Sequence, residues 1–477
     1  MSENKLPSLK FSILTLLTAT LIMVIGLIVF DASLQIMLFI GFITVIPFAM
    51  KLGFSFSEVE AFAYDMVRKI LPAALILLAV GALIGAWMYS GTVPTIIYAG
   101  LKVISPEYFL STAVIMCIFV SLATGTSWGT IGTAGVALVG VGSGLGIPAG
   151  ITVGAIITGA WFGDKMSPLS ASTNMAPAIS GGVDLFKHIK HMMWTTVPAV
   201  ILSIIVFQLI GFRYRGADLD YERINMITSS LDELFKIGWI ALIPAAVVLT
   251  LLIMKKPPVT SIFLGALIGA VVGVLHQGFS ITDGFSALYG GFSIEAGNSF
   301  INGLLNRGGV TSMYEILALF IFALAFGGVL SGAGFLSSIL NSFSKRIKTN
   351  RGLLLSTIAV SYTSNMIGAT HSFALIMTAT LMRPLYEKRK IKRENLSRLI
   401  EDVGTLGGPI IPWNTSAVFI AGTLGVSPME FIPFCLLTFF TLLITVIYSI
   451  TGFTITLEND KDTLDDSSKQ LSEHIAK

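Results

Sequence analysis

The chain has 477 residues, of which 54% are hydrophobic and 12% charged, with a formal net charge of +3 and a mean hydropathy of +0.84. A soluble domain is about 25% charged, and half that quota leaves very large apolar patches exposed. The composition therefore excludes a soluble enzyme, a nucleic-acid binder and a disordered chain, and implies a protein whose main partner is membrane lipid.

Lys5 and Lys10 precede an apolar run at 11–30. About 20 residues is the length of a span rather than of a signal-peptide core, so the run is predicted to be an uncleaved first span. Further spans are predicted at 34–50, 71–91, 147–167, 193–212, 235–254, 259–277, 314–333, 396–425 and 430–453. Helices satisfy their own backbone groups in lipid, so the fold class is an all-α polytopic membrane protein. Cys117 and Cys435 lie inside apolar runs and read as small hydrophobes.

Two stretches, 108–142 and 352–382, are too long for one span and too short for two with their turns. Each has a polar, small-residue centre: Ala123-Thr124-Gly125-Thr126-Ser127-Trp128-Gly129 in the first, and Thr363 to Ser372 in the second. Both are predicted to be re-entrant hairpins, since irregular backbone at that depth needs protein or water around it. With the N-terminus in the cytoplasm, this plan puts 23 of the 30 lysines and arginines on the cytoplasmic side and 6 outside, with Lys165 in the membrane. Such a bias supports cytoplasmic termini.

Landmarks recur at a spacing of 240–241, such as Ser121 with Ser361 and Pro168 with Pro409. Each half holds five spans and one hairpin, so the halves are expected to form an inverted repeat. The expected divisions are 1–212 for the first half, 213–234 for an extracytoplasmic connecting loop, 235–453 for the second half and 454–477 for a cytoplasmic acidic tail.

The chemistry is expected where two spans break. One runs through Gly163-Asp164-Lys165-Met166-Ser167-Pro168-Leu169-Ser170, followed by Thr173 and Asn174; the other runs from Glu401 and Asp402 through Pro409 and Pro412 to Asn414, Thr415 and Ser416. Proline removes a backbone donor and frees carbonyls, which need partners. Half-helix ends also carry partial charge. Ionisable residues at membrane depth cost about 2.5–3.5 kcal/mol each on insertion scales and usually mark a pathway. Asp164 is therefore the leading ion site, with Lys165 as a possible charge partner. Adjacent helical residues point about 100° apart, so these two do not face each other. Asp402 fits either a pseudo-symmetric partner of Asp164 or, with Glu401, a solvated charge at the cytoplasmic interface close to Arg398.

The hairpin centres offer oxygen ligands from Thr126, Ser127, Asn365 and Thr370, which suit hard cations. His371 could carry a proton or serve as a neutral donor. His188 and His191 sit beside lysines on an apparent surface stretch and need no role. No ATPase glycine loop and no His- or Cys-rich metal spacing occurs, so no cofactor is expected.

At Gly163 to Ser170, followed by Thr173-Asn174-Met175-Ala176-Pro177-Ala178, the chain resembles the NhaC family of sodium:proton antiporters. The run Asp184 to His191 and the segment Glu401 to Ser416 look like the family's too, so the resemblance covers nearly the whole chain. It implies sodium–proton exchange in the plasma membrane, with Asp164, Thr173, Asn174 and Asn414 as sodium ligands. Relatives of the family exchange small organic acids such as malate and lactate. More distantly, hairpins beside broken helices resemble the elevator-type ion transporter superfamily, which implies a homodimer. The family often has Asp where Ala171 stands. That departure implies weak sodium affinity or coupling to another solute. Rival expectations are an organic-acid exchanger on the same scaffold, an intramembrane aspartyl protease using Asp164 and Asp402, and a channel.

Overall fold

The computed structural model describes residues 6–68, 71–214, 221–344 and 347–457. Among them every regular element is a helix, apart from a single bridge between Ile391 and Leu457. The first half runs α1 (Leu9–Val29), α2 (Leu34–Lys51), α3 (Phe56–Arg68), α4 (Leu71–Tyr89), α5 (Thr92–Val103), α6 (Pro106–Thr124), α7 (Ser127–Thr130), α8 (Val136–Gly144), α9 (Ala149–Met166), α10 (Ala171–Ile179) and α11 (Leu185–Gly211). The second runs α12 (Tyr221–Leu234), α13 (Ile243–Ile253), α14 (Pro258–Val272), α15 (Ile281–Tyr289), α16 (Ser299–Leu305), α17 (Tyr314–Gly332), α18 (Phe335–Ser344), α19 (Asn350–Gly368), α20 (His371–Lys388), α21 (Arg393–Ile400), α22 (Thr415–Leu424), α23 (Pro428–Phe431) and α24 (Leu436–Thr451).

Among the described residues six helices are long and apolar enough to cross a membrane, and up to nine when each bent pair counts as one span. The chain is a multi-pass membrane protein. The ten expected spans are not all single helices. The one at 71–91 ends in a 68° bend between α4 and α5. The one at 235–254 opens with a 3-10 turn, and its helix is bent 90° from α12. Residues 213–234, expected as a loop, thus contain the helix α12. Most of the expected acidic tail, from 458 on, lies outside the described residues.

The two expected hairpins prove longer than the sequence suggested. The first is α6, a two-residue tip at Gly125–Thr126, and a continuous helix from α7 through a π-helical turn at Ile131–Gly135 into α8. The second is α19, a tip at Ala369–Thr370, and α20. Each tip needs only two residues because Gly125 and Ala369 turn the chain in the left-handed region, at φ 68° and 51°. The arms then have 18 or 19 residues, and α6 alone is long and apolar enough to be a span.

The order of elements repeats. Helices beginning at Pro106, Ser127, Ala149 and Ala171 are followed 244 residues later by helices beginning at Asn350, His371, Arg393 and Thr415. The spacing of 240–241 read from residue types is therefore corrected: the elements set Pro168 opposite Pro412, not Pro409. Common residues matched at a nearby spacing, whereas the helix bounds fix the register.

Candidate functional site

In the first half, α9 stops at Met166 and α10 starts at Ala171, capped by Ser170, whose hydroxyl accepts from the Thr173 N–H. Pro168 has no N–H with which to carry the helix on. The carbonyls freed by the break are taken up locally. The Thr173 hydroxyl donates to the carbonyl of Lys165 at 3.1 Å, and the Asn174 amide to those of Pro168 and Ser170 at 2.9 and 2.6 Å. The Ser167 hydroxyl donates to Leu122 of the hairpin at 2.9 Å. The hairpin tip is held by Thr126, whose hydroxyl accepts from the Gly129 N–H, and Ser127 donates to Asp164 Oδ2 at 2.7 Å.

The second half builds the same pairing of tip and break with different chemistry. After a π-helical turn at Glu401–Thr405 and a 3-10 turn at Gly408–Ile410, the chain breaks, and α22 starts at Thr415. Asn414 caps α22 through the Ser416 N–H at 3.0 Å and donates to Asn365 Oδ1 at 2.7 Å. Asn365 donates in turn to the Gly404 carbonyl at 2.7 Å. The Thr415 N–H donates to the Ala369 carbonyl at the tip, and Trp413 Nε1 to Met366.

Both tips and both breaks meet at one cavity of 600 Å³, reached by Ser127, Asp164, Ala171, His371 and Thr415 among others. Asp164 is the one carboxylate on its wall among the described residues. Thr126, Ser170 and Thr370 also line it, and Trp128, stacked on Phe419 at 4.1 Å, forms part of a wall. Of the four expected sodium ligands, Thr173 meets Asp164, its hydroxyl donating to the Asp164 carbonyl at 3.3 Å, while the Asn174 and Asn414 side chains bond elsewhere. Asp164 faces the cavity, Thr173 is buried against backbone, Asn174 is exposed beside Pro168, and Asn414 is buried on Asn365. Ser167 and Asn365 likewise serve the joints between hairpin and break.

Beneath the cavity lies a buried ion cluster. Lys165 donates to Asp402 Oδ1, joining the broken helices of the two halves across 237 residues of sequence. The other Asp402 oxygen accepts from Thr445 at 3.1 Å and lies 3.9 Å from Arg398 Nε. Arg398 also donates to Thr454 at 2.7 Å. Lys165, Arg398, Glu401 and Asp402 are at most 1% exposed. The expectation of solvated charges at an interface is thus overturned: Glu401 and Asp402 are buried, and Asp402 is neutralised by Lys165 rather than by solvent. The protease arrangement fails with it, because Asp402 is held by Lys165 and Thr445 and does not line the cavity beside Asp164. His188, expected on the surface, is fully buried, with Nδ1 2.6 Å from the Ser397 hydroxyl.

Sequence reasoning omitted Arg398, Thr405, Ser172 and Glu401 from the site. The spacing of Arg398, Glu401 and Asp402 at three and four residues was the available signal, since it stacks them on one helical face.

Two hairpin tips, two interrupted helices and, among the described residues, a single carboxylate on a shared cavity define a secondary transporter of the multi-pass helical class. Comparison with known proteins narrows the class. The model of the Na+/H+ antiporter family matches residues 5–176 and 159–453. The malate-2H(+)/Na(+)-lactate antiporter of Bacillus subtilis (strain 168) is 40% identical over 453 residues, covering 95% of this chain and 96% of that one. The Na(+)/H(+) antiporter NhaC of Alkalihalophilus pseudofirmus is 34% identical over 450 residues, covering 94% and 97%. The arginine/ornithine antiporter ArcD of Halobacterium salinarum is 29% identical over 469 residues, covering 98% and 96%. The chain belongs to the Na+/H+ antiporter family.

Proposed function

We propose that the protein is a sodium–proton exchanger of the plasma membrane and not an enzyme, with cytoplasmic termini, halves of inverted topology, homodimeric assembly and no cofactor. The observation that carries the reading is Asp164. It ends a half-helix, whose C-terminus favours a cation, and faces a cavity walled by both tips. A desolvated carboxylate is costly when charged and alone. Sodium and a proton therefore compete for it, and only loaded states cross.

The test is a proteoliposome assay with an internal pH dye. Sodium pulses should drive proton movement in the wild type, and Asp164→Asn, which keeps the shape and loses the charge, should abolish it in a protein that still inserts. Normal exchange in that variant removes Asp164 from the mechanism.

A second reading, exchange of small organic acids, is favoured by the helices that begin at Ser127, Ala171, His371 and Thr415. All four first residues line the cavity, and helix N-termini attract carboxylates. The relative that is 40% identical is named for malate and lactate. Labelled lactate trapped inside the vesicles should leave when malate is added outside; no efflux restricts the substrate to cations.

A further inference from the structure

One group in the cluster has no assigned use. Glu401 is 0% exposed, and neither carboxylate oxygen has a hydrogen-bond partner. It lies in the π-helical turn, a local widening of the helix often found at functional sites. The hydroxyls of Thr405 and Ser172 are beside it, and Lys165 and Asp164 are within its electrostatic reach. The Thr405 hydroxyl is also unpartnered, on a residue 4% exposed that lines the cavity. Ser172, 7% exposed, lines the cavity as well, 3.1 Å from the Ser170 hydroxyl. A buried carboxylate without donors is a costly arrangement, and so is an orphaned buried hydroxyl. Both costs fall if the oxygens share one ligand.

The charges point the same way. Lys165 and Arg398 supply two positive charges, and Asp402 lies against both. Asp164 and Glu401 bring the carboxylates to three. With all five groups ionised the four buried groups and Asp164 on the cavity wall are together one positive charge short, the charge of a single alkali ion. Oxygen donors without nitrogen or sulfur suit a hard cation.

We propose that Glu401, Thr405 and Ser172 form a monovalent-cation site beside Asp164, reached from the same cavity. The inference deepens the sodium-coupled reading: it assigns the ion a second carboxylate and two hydroxyls contributed by both broken helices. Sodium bound there bridges the first half, through Ser172, to the second, through Glu401 and Thr405. Its binding is thereby tied to the joint between the two halves.

The test measures binding apart from transport. A ligand that binds the folded state raises its thermal midpoint by an amount that grows with the logarithm of one plus its concentration over Kd. Purified protein in detergent is melted in sodium chloride and in choline chloride at equal ionic strength, at several fixed pH values. The wild type should show a sodium-specific upward shift. Glu401→Gln should lose it. Thr405→Val, which keeps the volume and removes the ligand oxygen without touching any charge, should need about tenfold more sodium for the same shift, and Thr405→Ser should restore it. If Glu401→Gln does not fold, the Thr405 pair decides alone. A wild-type sodium response in Thr405→Val overturns the proposal. So does a Glu401→Gln variant that keeps its sodium shift and differs only in pH dependence, because Glu401 then holds a proton and nothing else. Failure of the exchange reading looks different: wild-type vesicles would show no sodium-driven proton movement, whatever the melting curves show.

Discussion

Lys165 and Asp402 divide the work of the site with Asp164. The lysine points away from the cavity into the protein, where Asp402 neutralises it with Arg398 alongside. Removing one partner of a buried pair costs about 3–5 kcal/mol, because the other charge stays buried and uncompensated. Asp402→Asn should therefore lower the thermal midpoint sharply, and Lys165→Gln combined with Asp402→Asn should recover part of the loss. A single Asp402→Asn protein that melts like the wild type shows that the pair contributes little. Ala171 carries the opposite prediction. It opens α10, is exposed, and lines the cavity with Asp164. A carboxylate there adds attraction for sodium: unit charges about 4 Å apart interact by about 4 kcal/mol at an effective dielectric near 20. After discounting for desolvation, a gain of about 1.4 kcal/mol is tenfold in affinity. Ala171→Asp should lower the sodium concentration for half-maximal exchange by about tenfold. An unchanged value in a folded protein shows that the added carboxylate does not reach the ion.

Between elements, the position of Asp164 depends on how closely α9 packs against α6. Gly159 and Gly163 lie one turn apart on that face, the small-xxx-small spacing that lets membrane helices approach. A Cβ at Gly159 would lie 2.2 Å from the Val114 carbonyl oxygen, and one at Gly163 2.6 Å from that of Ile118. Backbone cannot move aside as a side chain can, so Gly163→Val should push α9 off the hairpin. Overpacking of this kind costs about 1–3 kcal/mol. The expected result is a lower melting temperature together with a reduced exchange rate, because Ser127 then loses its reach to Asp164. Full activity and stability in Gly163→Val means that the helices separate without cost. This level of structure was partly legible. The apolar runs gave most helices, and Pro168 and Pro412 marked the breaks, because proline acts on its own backbone. The two-residue tips were missed, since a left-handed alanine at 369 leaves no mark in the sequence. The π-helical turn at Glu401 was missed because a local widening of a helix leaves no mark in the apolar pattern, and the Lys165–Asp402 pair because it joins residues 237 apart.

Across the whole molecule, the proposed orientation rests on charge. The segment 383–398 holds seven basic residues, whereas 221–236 holds Arg223 and Lys236. Positive loops stay in the cytoplasm, so the end of α20 should face inward and α12 outward. The protein's own thiols make this easy to check. Cys117 and Cys435 are both buried, at 0% and 1% exposure, and should be silent towards a charged reagent. Lys388, at the end of α20, and Glu233, in α12, are exposed. In intact cells a membrane-impermeant maleimide should label Glu233→Cys and spare Lys388→Cys, and inside-out vesicles should give the opposite. The two helices lie in the half that begins at α12, so this pattern also fixes the direction in which that half threads the membrane. A matched pair in the first half then tests inversion. Ser143, near the end of the first hairpin's second arm, stands 244 residues before Glu387, near the end of the corresponding arm, α20. If the halves are inverted, Ser143→Cys is labelled from outside while Lys388→Cys is not. Labelling of both from one side means that the halves run parallel, and the repeated order of elements then carries no inversion.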